Sequence, residues 1–437
     1  MFTIDKGTSL SGDLIKQAIE YNEKIKPLLT RQERYYIGLH KILGRKKPEV
    51  DKNEKVLINH AKYITDMYVG YMLGNPCEWQ VTDDQYDIDP ILEEFKEQDI
   101  SSFDVLMAKK ISIFGRAYEL EYTDDNNVRS AYIDPRNAIC VYDDTVQHKK
   151  MFAIIYGDDP FTSKKETEVT VYDDTFKYVY SGKKGDFKLV ADSTEPHGFK
   201  KIPVIHYANN DEEIGDFQPV ISLIDAYNIL QSDRINDKEQ LVEAILVGYG
   251  FNLTDEQKKD LKINRMMFGL NKDDKLEYLI KAFNEGDIDV LRKNLENDIH
   301  KISMCPNMSD ENFIGNGSGV ALSYKLLPFE QNTKNKERYF EKGLKERFQL
   351  YDNYLESISK VQEIPLTAVD VVFKNSLPQN LLETSQVINN LVNLVDKETL
   401  LGLLPFVKDA GAVIDKLEAE EDEDMLVDQP NYGTANE

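Results

Sequence analysis

The chain has 437 residues, 41% of them hydrophobic and 30% charged, with a formal net charge of −25. That composition supports a buried core and leaves room for two or three domains. It argues against a protein that grips nucleic acid over its whole surface, because such grip comes from Lys and Arg neutralising phosphates. It does not argue against an acidic passage that repels a sliding duplex from its walls. No apolar run of roughly 18 residues occurs, so no transmembrane helix and no membrane partner is expected. Met1–Leu10 lacks the basic start and apolar stretch of a signal peptide. Cys77, Cys140 and Cys305 are far apart and odd in number, as expected of free, buried thiols in a reducing cytoplasm.

Residues 11–45 are predicted helical, with Leu14, Ala18, Tyr21 and Ile25 on one face and Pro27 placed to kink or break the run. A second helix is predicted over Asn53–Leu73, stopped by Gly74-Asn75-Pro76, and a third over Ile91–Ile113, ended by Gly115. The pattern then alternates. Ala117–Tyr122, Met151–Tyr156, Glu168–Tyr172, Thr175–Tyr180 and Phe187–Val190 are predicted strands of an antiparallel meander, with a turn at Asp124–Asn127.

Asp216 is predicted to cap a helix with Pro219 in its first turn. Val220, Leu223, Ile224, Tyr227, Leu230, Leu241 and Ile245 form its apolar face, and it ends near Gly248. An insert at 249–283 is expected to hold a short helix at Thr254–Leu261 and strands at Met266–Phe268 and Leu276–Ile280. The chain returns through a helix at Ile288–Met304, bearing Leu291, Leu295, Ile299 and Ile302, that Pro306 stops. Two helices thus flank a β-rich tip, like a stalk carrying a head.

The glycine-rich run Gly315-Asn316-Gly317-Ser318-Gly319 opens a helix-forming stretch that reaches Lys360. In it Phe340, Leu344, Phe348, Tyr351, Leu355 and Ile358 recur at helical spacing. Forty-odd helical residues extend roughly 65 Å at about 1.5 Å each, although Pro328 is placed to divide the rod into two segments. A helix of that length needs packing partners along it, which predicts an elongated subunit beside copies of itself. Val369–Phe373 is a predicted strand, and Gln379–Leu394 with Lys397–Leu417 a compact helical end. Glu418–Asp424, six acids in seven residues, is predicted to be a solvated tail. The fold class is α+β, mostly helical.

Little supports catalysis. His40, His60, His148, His197, His206 and His300 are scattered without ligand spacing, and no metal or cofactor is implied. The glycine-rich run lacks the Gly-Lys-Ser/Thr ending of a phosphate loop, and a helix precedes it rather than a strand. It still opens a helix N-terminus, which can approach phosphates through backbone N–H groups. The alternative is a plain flexible connector. Asp83-Asp84, Asp124-Asp125, Asp143-Asp144 and Asp173-Asp174 sit where turns favour aspartate. A nuclease built on them lacks a clustered Asp/Glu/Lys set. Lys334, Lys336, Arg338, Lys342, Lys345 and Arg347 alternate with Glu330, Glu337, Glu341 and Glu346, as on a salt-bridged exposed or inter-subunit face.

The order of segments resembles the portal proteins of tailed bacteriophages, in the class found in long-tailed phages of Gram-positive hosts. The most specific patch is Asn59-His60-Ala61-Lys62-Tyr63-Ile64, continuing through Tyr68-Val69-Gly70-Tyr71 to Gly74-Asn75-Pro76. Gly115-Arg116-Ala117-Tyr118-Glu119, Ile133-Asp134-Pro135, Ile202-Pro203-Val204, Asp225-Ala226-Tyr227-Asn228 and Ser318–Tyr324 follow in order.

The resemblance implies a structural protein that is not an enzyme: a ring, usually of twelve subunits, at one capsid vertex. Double-stranded DNA is driven in through its tunnel by terminase and later released. It implies a wing over 1–215, stem helices at 216–247 and 286–305, a clip at 248–285 and a tunnel loop at 306–319. A long wing helix at 320–360, a wing strand at 361–376 and a helical crown at 377–417 complete it. The loop residues are Asn307, Ser309, Asn312, Gly315, Asn316, Gly317, Ser318 and Gly319, with Lys301 and Lys325 as the nearest basic candidates for the tunnel wall. Lys258, Lys259, Arg265, Met267, Phe268, Lys272 and Lys275 are the clip candidates for terminase and then the head-completion adaptor. Ile224, Tyr227, Leu291, Leu295 and Ile299 are the stem-packing candidates. Major capsid and scaffolding proteins are the remaining implied partners. A capsid-associated connector that is not the conduit is the alternative.

Overall fold

The computed structural model describes residues 1–47, 53–83, 85–158, 167–183, 186–242, 245–249, 254–255, 275–279, 285–308, 319–375, 381–404, 407, 410–411, 413–414 and 416–417. The chain divides into two compact units, Met1–Gly315 with Tyr324–Asn375, and Asn316–Ser323 with Ser376–Glu437.

The first unit opens with strand β1 (Phe2–Ile4) and helix α1 (Gly12–Tyr36). The Ser11 hydroxyl accepts from Leu14 N at 3.2 Å and starts α1. Pro27 lies inside α1 without ending it. The helix stops nine residues before the predicted end, at Gly38 in the left-handed region (φ +85), and a short 3-10 turn follows at Lys41–Gly44. Beneath α1 lies a seven-stranded sheet. Its order is β1, β5 (Ala138–Asp143), β6 (Lys150–Asp158), β7 (Thr167–Tyr172), β8 (Phe176–Lys183) and β10 (Glu195–Pro196), with β9 (Asp186–Leu189) also on β8. β6 to β9 are four of the predicted meander strands, with β5 paired to β6; the fifth, Ala117–Tyr122, lies in a separate sheet, and β1 runs parallel to β5. Leu14, Ile15 and Ala18 of α1 pack on Val141, Ile154, Val169 and Val171.

A three-stranded sheet holds β3 (Arg116–Asp124), β4 (Asn127–Ile133) and β11 (Val204–Ala208) in the order β11-β3-β4. Its β3–β4 hairpin turns at Asp125 and Asn126, both with positive φ, the geometry of a primed two-residue turn. A two-stranded sheet pairs the predicted β14 (Val369–Val372) with β2 (Glu78–Val81). Neither β2 nor β5 was predicted. β2 is four residues long with Trp79 packed inward, too short to show a period.

Several helix boundaries differ from the prediction. The second helix, α2, is His60–Leu73, capped by the Asn59 side chain accepting from Lys62 N at 3.0 Å, and residues 53–59 are not helical. The third divides into α3 (Asp89–Glu97) and α4 (Ile100–Phe114) at Asp99, which has φ +53. α4 ends at Gly115 (φ +80), where a Cβ would meet Glu213 O at 2.0 Å. α5 runs over Ile221–Val242 after a 3-10 turn at Gln218–Val220, and β12 (Ile245–Tyr249) follows where a continued helix was predicted. Ile245 is therefore a strand residue. β12 pairs antiparallel with β13 (Lys275–Leu279). The predicted insert helix and the Met266–Phe268 strand lie outside the described residues, apart from Thr254 and Asp255.

The return helix α6 is Glu285–Ser303. The long helix α7 is Gly319–Ser357, with Pro328 inside one continuous helix. Phe340, Leu344, Phe348, Tyr351 and Leu355 are fully buried, but in the chain's own core, against α3, α4, β2 and β14. Copies of the chain are not needed to cover that stripe. Gly343 allows the closest approach in this packing, since a Cβ there would meet the Tyr207 ring at 2.2 Å.

The second unit holds α8 (Leu381–Leu391) and α9 (Lys397–Gly402). Asp396 starts α9, its Oδ1 accepting from Thr399 N at 2.8 Å. The acidic tail lies outside the described residues.

Candidate functional site: stem pair, strap and loop base

α5 and α6 pack through Ile224, Tyr227 and Ile299, all buried, with Leu295 half-buried against them. Leu291 stays 49% exposed, so it takes no part in this core. The structure thus joins four of the five stem candidates and leaves one on the surface.

The non-helical residues 53–58 lie along α5 as a strap. Glu54 N donates to Asn236 Oδ1 at 2.7 Å, Val56 N to Ser232 Oγ at 3.0 Å and Ile58 N to Asn228 Oδ1 at 2.9 Å. Positions four apart on a helix rise about 6 Å, and positions two apart on an extended chain about 6.6 Å. The two repeats match, so polar side chains at 228, 232 and 236 replace the helical hydrogen bonds that residues 53–58 forgo. No sequence period announces this, because the partners are about 180 residues apart. Ser232→Ala is expected to leave Val56 N–H without its acceptor, at about 1–3 kcal/mol. Hydrogen exchange at Val56 checks it; unchanged protection would mean the strap is held elsewhere.

The strap leads into α2, whose tyrosines hold the exit of α6. Tyr68 OH donates to Ser303 O at 2.8 Å, and Tyr63 OH donates to Pro306 O at 2.8 Å while accepting from Met308 N at 3.2 Å. Asn332 Nδ2 of α7 donates to Tyr68 OH at 2.8 Å. Burial pushes both phenols up, so they remain neutral donors. Asn307 Nδ2 donates to Glu296 Oε1 at 3.1 Å, which ties the residue after Pro306 back to α6. Ser309, Asn312, Gly315, Asn316, Gly317 and Ser318 lie outside the described residues, and Gly319 is the first residue of α7. Lys301 and Lys325 are exposed.

Three histidines meet at this junction. His40 bridges Tyr35 O through Nε2 (2.8 Å) and the Asn228 amide through Nδ1 (3.0 Å), which assigns the Nε2–H neutral form. The His60 ring stands edge-on to Tyr227 at 5.0 Å and His300 at 5.7 Å. Burial first, then His300 and His40, push His60 down to about 4.

Lys334, Arg338 and Lys342 are exposed, as expected, but Lys336 and Arg347 are not part of an exposed face: they are buried and anchor α7. Lys336 Nζ pairs with Asp216 Oδ2 at 2.5 Å, both nearly inaccessible, and lies 4.5 Å over the Tyr68 ring. Asp216 therefore does not cap α5; it binds Lys336, Ser112 and the Asn209 amide. Arg347, fully buried, reaches Glu119 at 2.7 Å and Asp104 at 2.6 Å. Lys345–Glu341 keeps the predicted i,i+4 form. A lone Lys or Arg in a mixed-charge run does not reveal burial, because its partners come from distant segments.

Among the described residues no group of His, Cys, Asp and Glu is placed to hold a metal ion. Asp143 and Asp173 spend their carboxylates on local turns, accepting from Thr145, Lys149, Thr175 and Phe176 N–H groups. The three cysteines are free, and burial raises the Cys140 thiol to about 12. Among the described residues no helix is long and apolar enough to cross a membrane.

The sequence profile described as "Phage portal protein, SPP1 Gp6-like" matches residues 15–425. The chain belongs to this family of phage portal proteins. It is 24% identical over 474 aligned positions to the portal protein of Bacillus phage SPP1, covering 94% of this chain and 90% of that one. Two solved structures are also similar at 11% identity. "Neck of empty GTA particle computed with C6 symmetry" has a TM-score of 0.44 over 78% of this chain and 89% of that chain. "Virion of native gene transfer agent (GTA) particle" has a TM-score of 0.43 over 90% of this chain and 99% of that chain. The resemblance drawn from motif order is borne out: this is a capsid portal of the class of Gram-positive phages, with an α+β fold.

Proposed function

We propose that twelve copies of this portal protein form a ring at one capsid vertex. Double-stranded DNA is packaged through its axis by terminase and later leaves by the same route. The observation that carries this is the family match over residues 15–425, which includes the stem pair and the loop. The chemistry agrees with it. A chain of net charge −25 repeated around an axis makes a bore that repels phosphates rather than binding them. In this reading α5 and α6 are the stem, β12 and β13 belong to the clip, residues 306–319 form the tunnel loop and α8 with α9 the crown. The clip, with Lys258, Lys259, Arg265, Met267, Phe268, Lys272 and Lys275, faces terminase and then the head-completion adaptor. Major capsid and scaffolding proteins surround the wing.

Electron micrographs of the purified protein test this: end-on views are expected to show annuli with a central hole. Ile299 belongs to the subunit core, so its substitution tests folding; the exposed Leu291 tests assembly. Leu291→Asp is expected to leave the subunit's thermal midpoint within a degree or two, because the site is solvated. In a ring it buries a charge at several kcal/mol and removes the annuli. Normal annuli from this variant would mean that α6 is not part of the wall between subunits.

A further inference from the structure

Residues 31–47 carry six cations and one acid in a chain whose net charge is −25. Glu33 is taken by Arg136, and Arg45 and Lys47 share Asp233 of α5. Among the described residues none of Arg31, Arg34, Lys41 and Lys46 has a carboxylate partner. Ile37, Leu39 and Leu43 stand exposed among them, at 58%, 46% and 40%. Arg31, Arg34, Tyr35, Leu39 and Lys41 line an open groove of 810 Å³ beside α1, and Glu23, paired with Lys26, and Asp225, bonded by Tyr35, also line it. Bare apolar side chains among unpaired cations fit an acidic protein surface that also carries an apolar contact. They fit DNA less well, whose protein interfaces are polar.

The chain carries such a surface. On α6, Asp287, Leu291, Asn294 and Asp298 recur at spacings of four, three and four and are all exposed. That is one stripe with an acid at each end and Leu291 and Asn294 between them. The side of α5 that meets residues 45–47 is turned away from α6. Tyr227 faces α6, bonding Arg292, whereas Asp233, which holds Arg45 and Lys47, is about 120° around α5 at 3.6 residues per turn. Two unlike surfaces on one subunit make the head-to-tail kind of contact from which a ring closes. Self-repulsion between subunits of net −25 also needs a local region of opposite sign.

We propose that the groove at residues 31–47 of one subunit receives the Asp287–Asp298 stripe of the next copy. This rests on the ring reading and adds the surfaces that make the contact. The test compares three variants with the parent by counting annuli at several salt concentrations. Arg31→Glu/Arg34→Glu/Lys41→Glu and Asp287→Lys/Asp298→Lys are each expected to lower the annular fraction about tenfold, and combining them is expected to restore it. All five positions are exposed, and unchanged thermal midpoints of the monomers show that folding is intact. Annuli at the parent's level in the triple variant overturn this contact while leaving the ring standing. Failure of the combined variant overturns the α6 stripe as its occupant. Loss of retention of a short DNA duplex in the triple variant, with annuli unchanged, overturns it in favour of a nucleic-acid surface. A parent that forms no annuli under any condition removes the ring reading itself.

Discussion

Replacing Arg347 with methionine is expected to cost about 3–5 kcal/mol, the typical effect of removing one partner of a buried ion pair. The guanidinium is fully buried and is shared by Glu119 and Asp104. Glu121, also buried, lies beside Glu119, and burial first and then Glu119 push its carboxyl up. Three acids therefore surround one arginine, and without it the buried carboxyls beside it lose that counter-charge. Asp104 is already pushed up to about 6 by burial, against the pull of Arg347. Urea unfolding at neutral pH checks the prediction. Adding Glu119→Gln and Asp104→Asn should recover much of the loss, because the acids are then neutral. A single variant within about 1 kcal/mol of the parent would show that α7 is held by its apolar stripe alone. The same logic makes Arg347→Lys a poor substitute, since one ammonium does not match the forked contact to Glu119.

The second large effect depends on pH. His60 has an ordinary value of 6.5 and is pushed down to about 4, so the folded state holds it neutral where the unfolded chain charges it. The unfolded state then binds the extra proton. Stability from this residue is fully present above pH 6.5 and is lost as pH falls toward 4. At pH 5 the loss is about 2 kcal/mol. His206, also pushed down to about 4 by burial, acts in the same direction. Asp104 and Asp352, both raised to about 6 by burial, act oppositely, because acidification relieves their buried charge. The parent's profile is therefore a partial cancellation, and a difference between proteins is the proper measurement. His60→Leu is expected to be about 2 kcal/mol less acid-sensitive between pH 7.5 and 5 than the parent. Equal sensitivity would mean that His60 is reached by water or shares its proton with a partner.

These two results concern residues whose importance could not be read from local pattern. His60 was one of six scattered histidines, and Arg347 looked like a member of a solvated helix face. The reading of Arg347 failed, and the burial of His60 stayed hidden, for the same reason. Burial of a charged or titratable group depends on what folds over it, and the partners here come from residues 104, 119, 227 and 300. The apolar stripe of α7 was legible, because Phe340, Leu344, Phe348, Tyr351 and Leu355 keep a helical period. What covers that stripe was not, and the expectation of neighbouring copies gave way to the chain's own strands and helices. The α5–α6 pair was legible from two amphipathic runs around an insert. The strap was not: Val56 and Leu57 fit a helical spacing, yet three side chains of α5 offered their backbone a better set of partners.

The sequence alone determined the family, through the order of its motifs, and the positions of the long periodic helices and the β meander, because a repeat of 3.6 or 2 residues is a local property. Only the tertiary structure decided which charges are buried, where α2 begins and which faces of α5 and α6 remain open. Those are set by contacts between segments 100 to 250 residues apart, which no window along the chain contains.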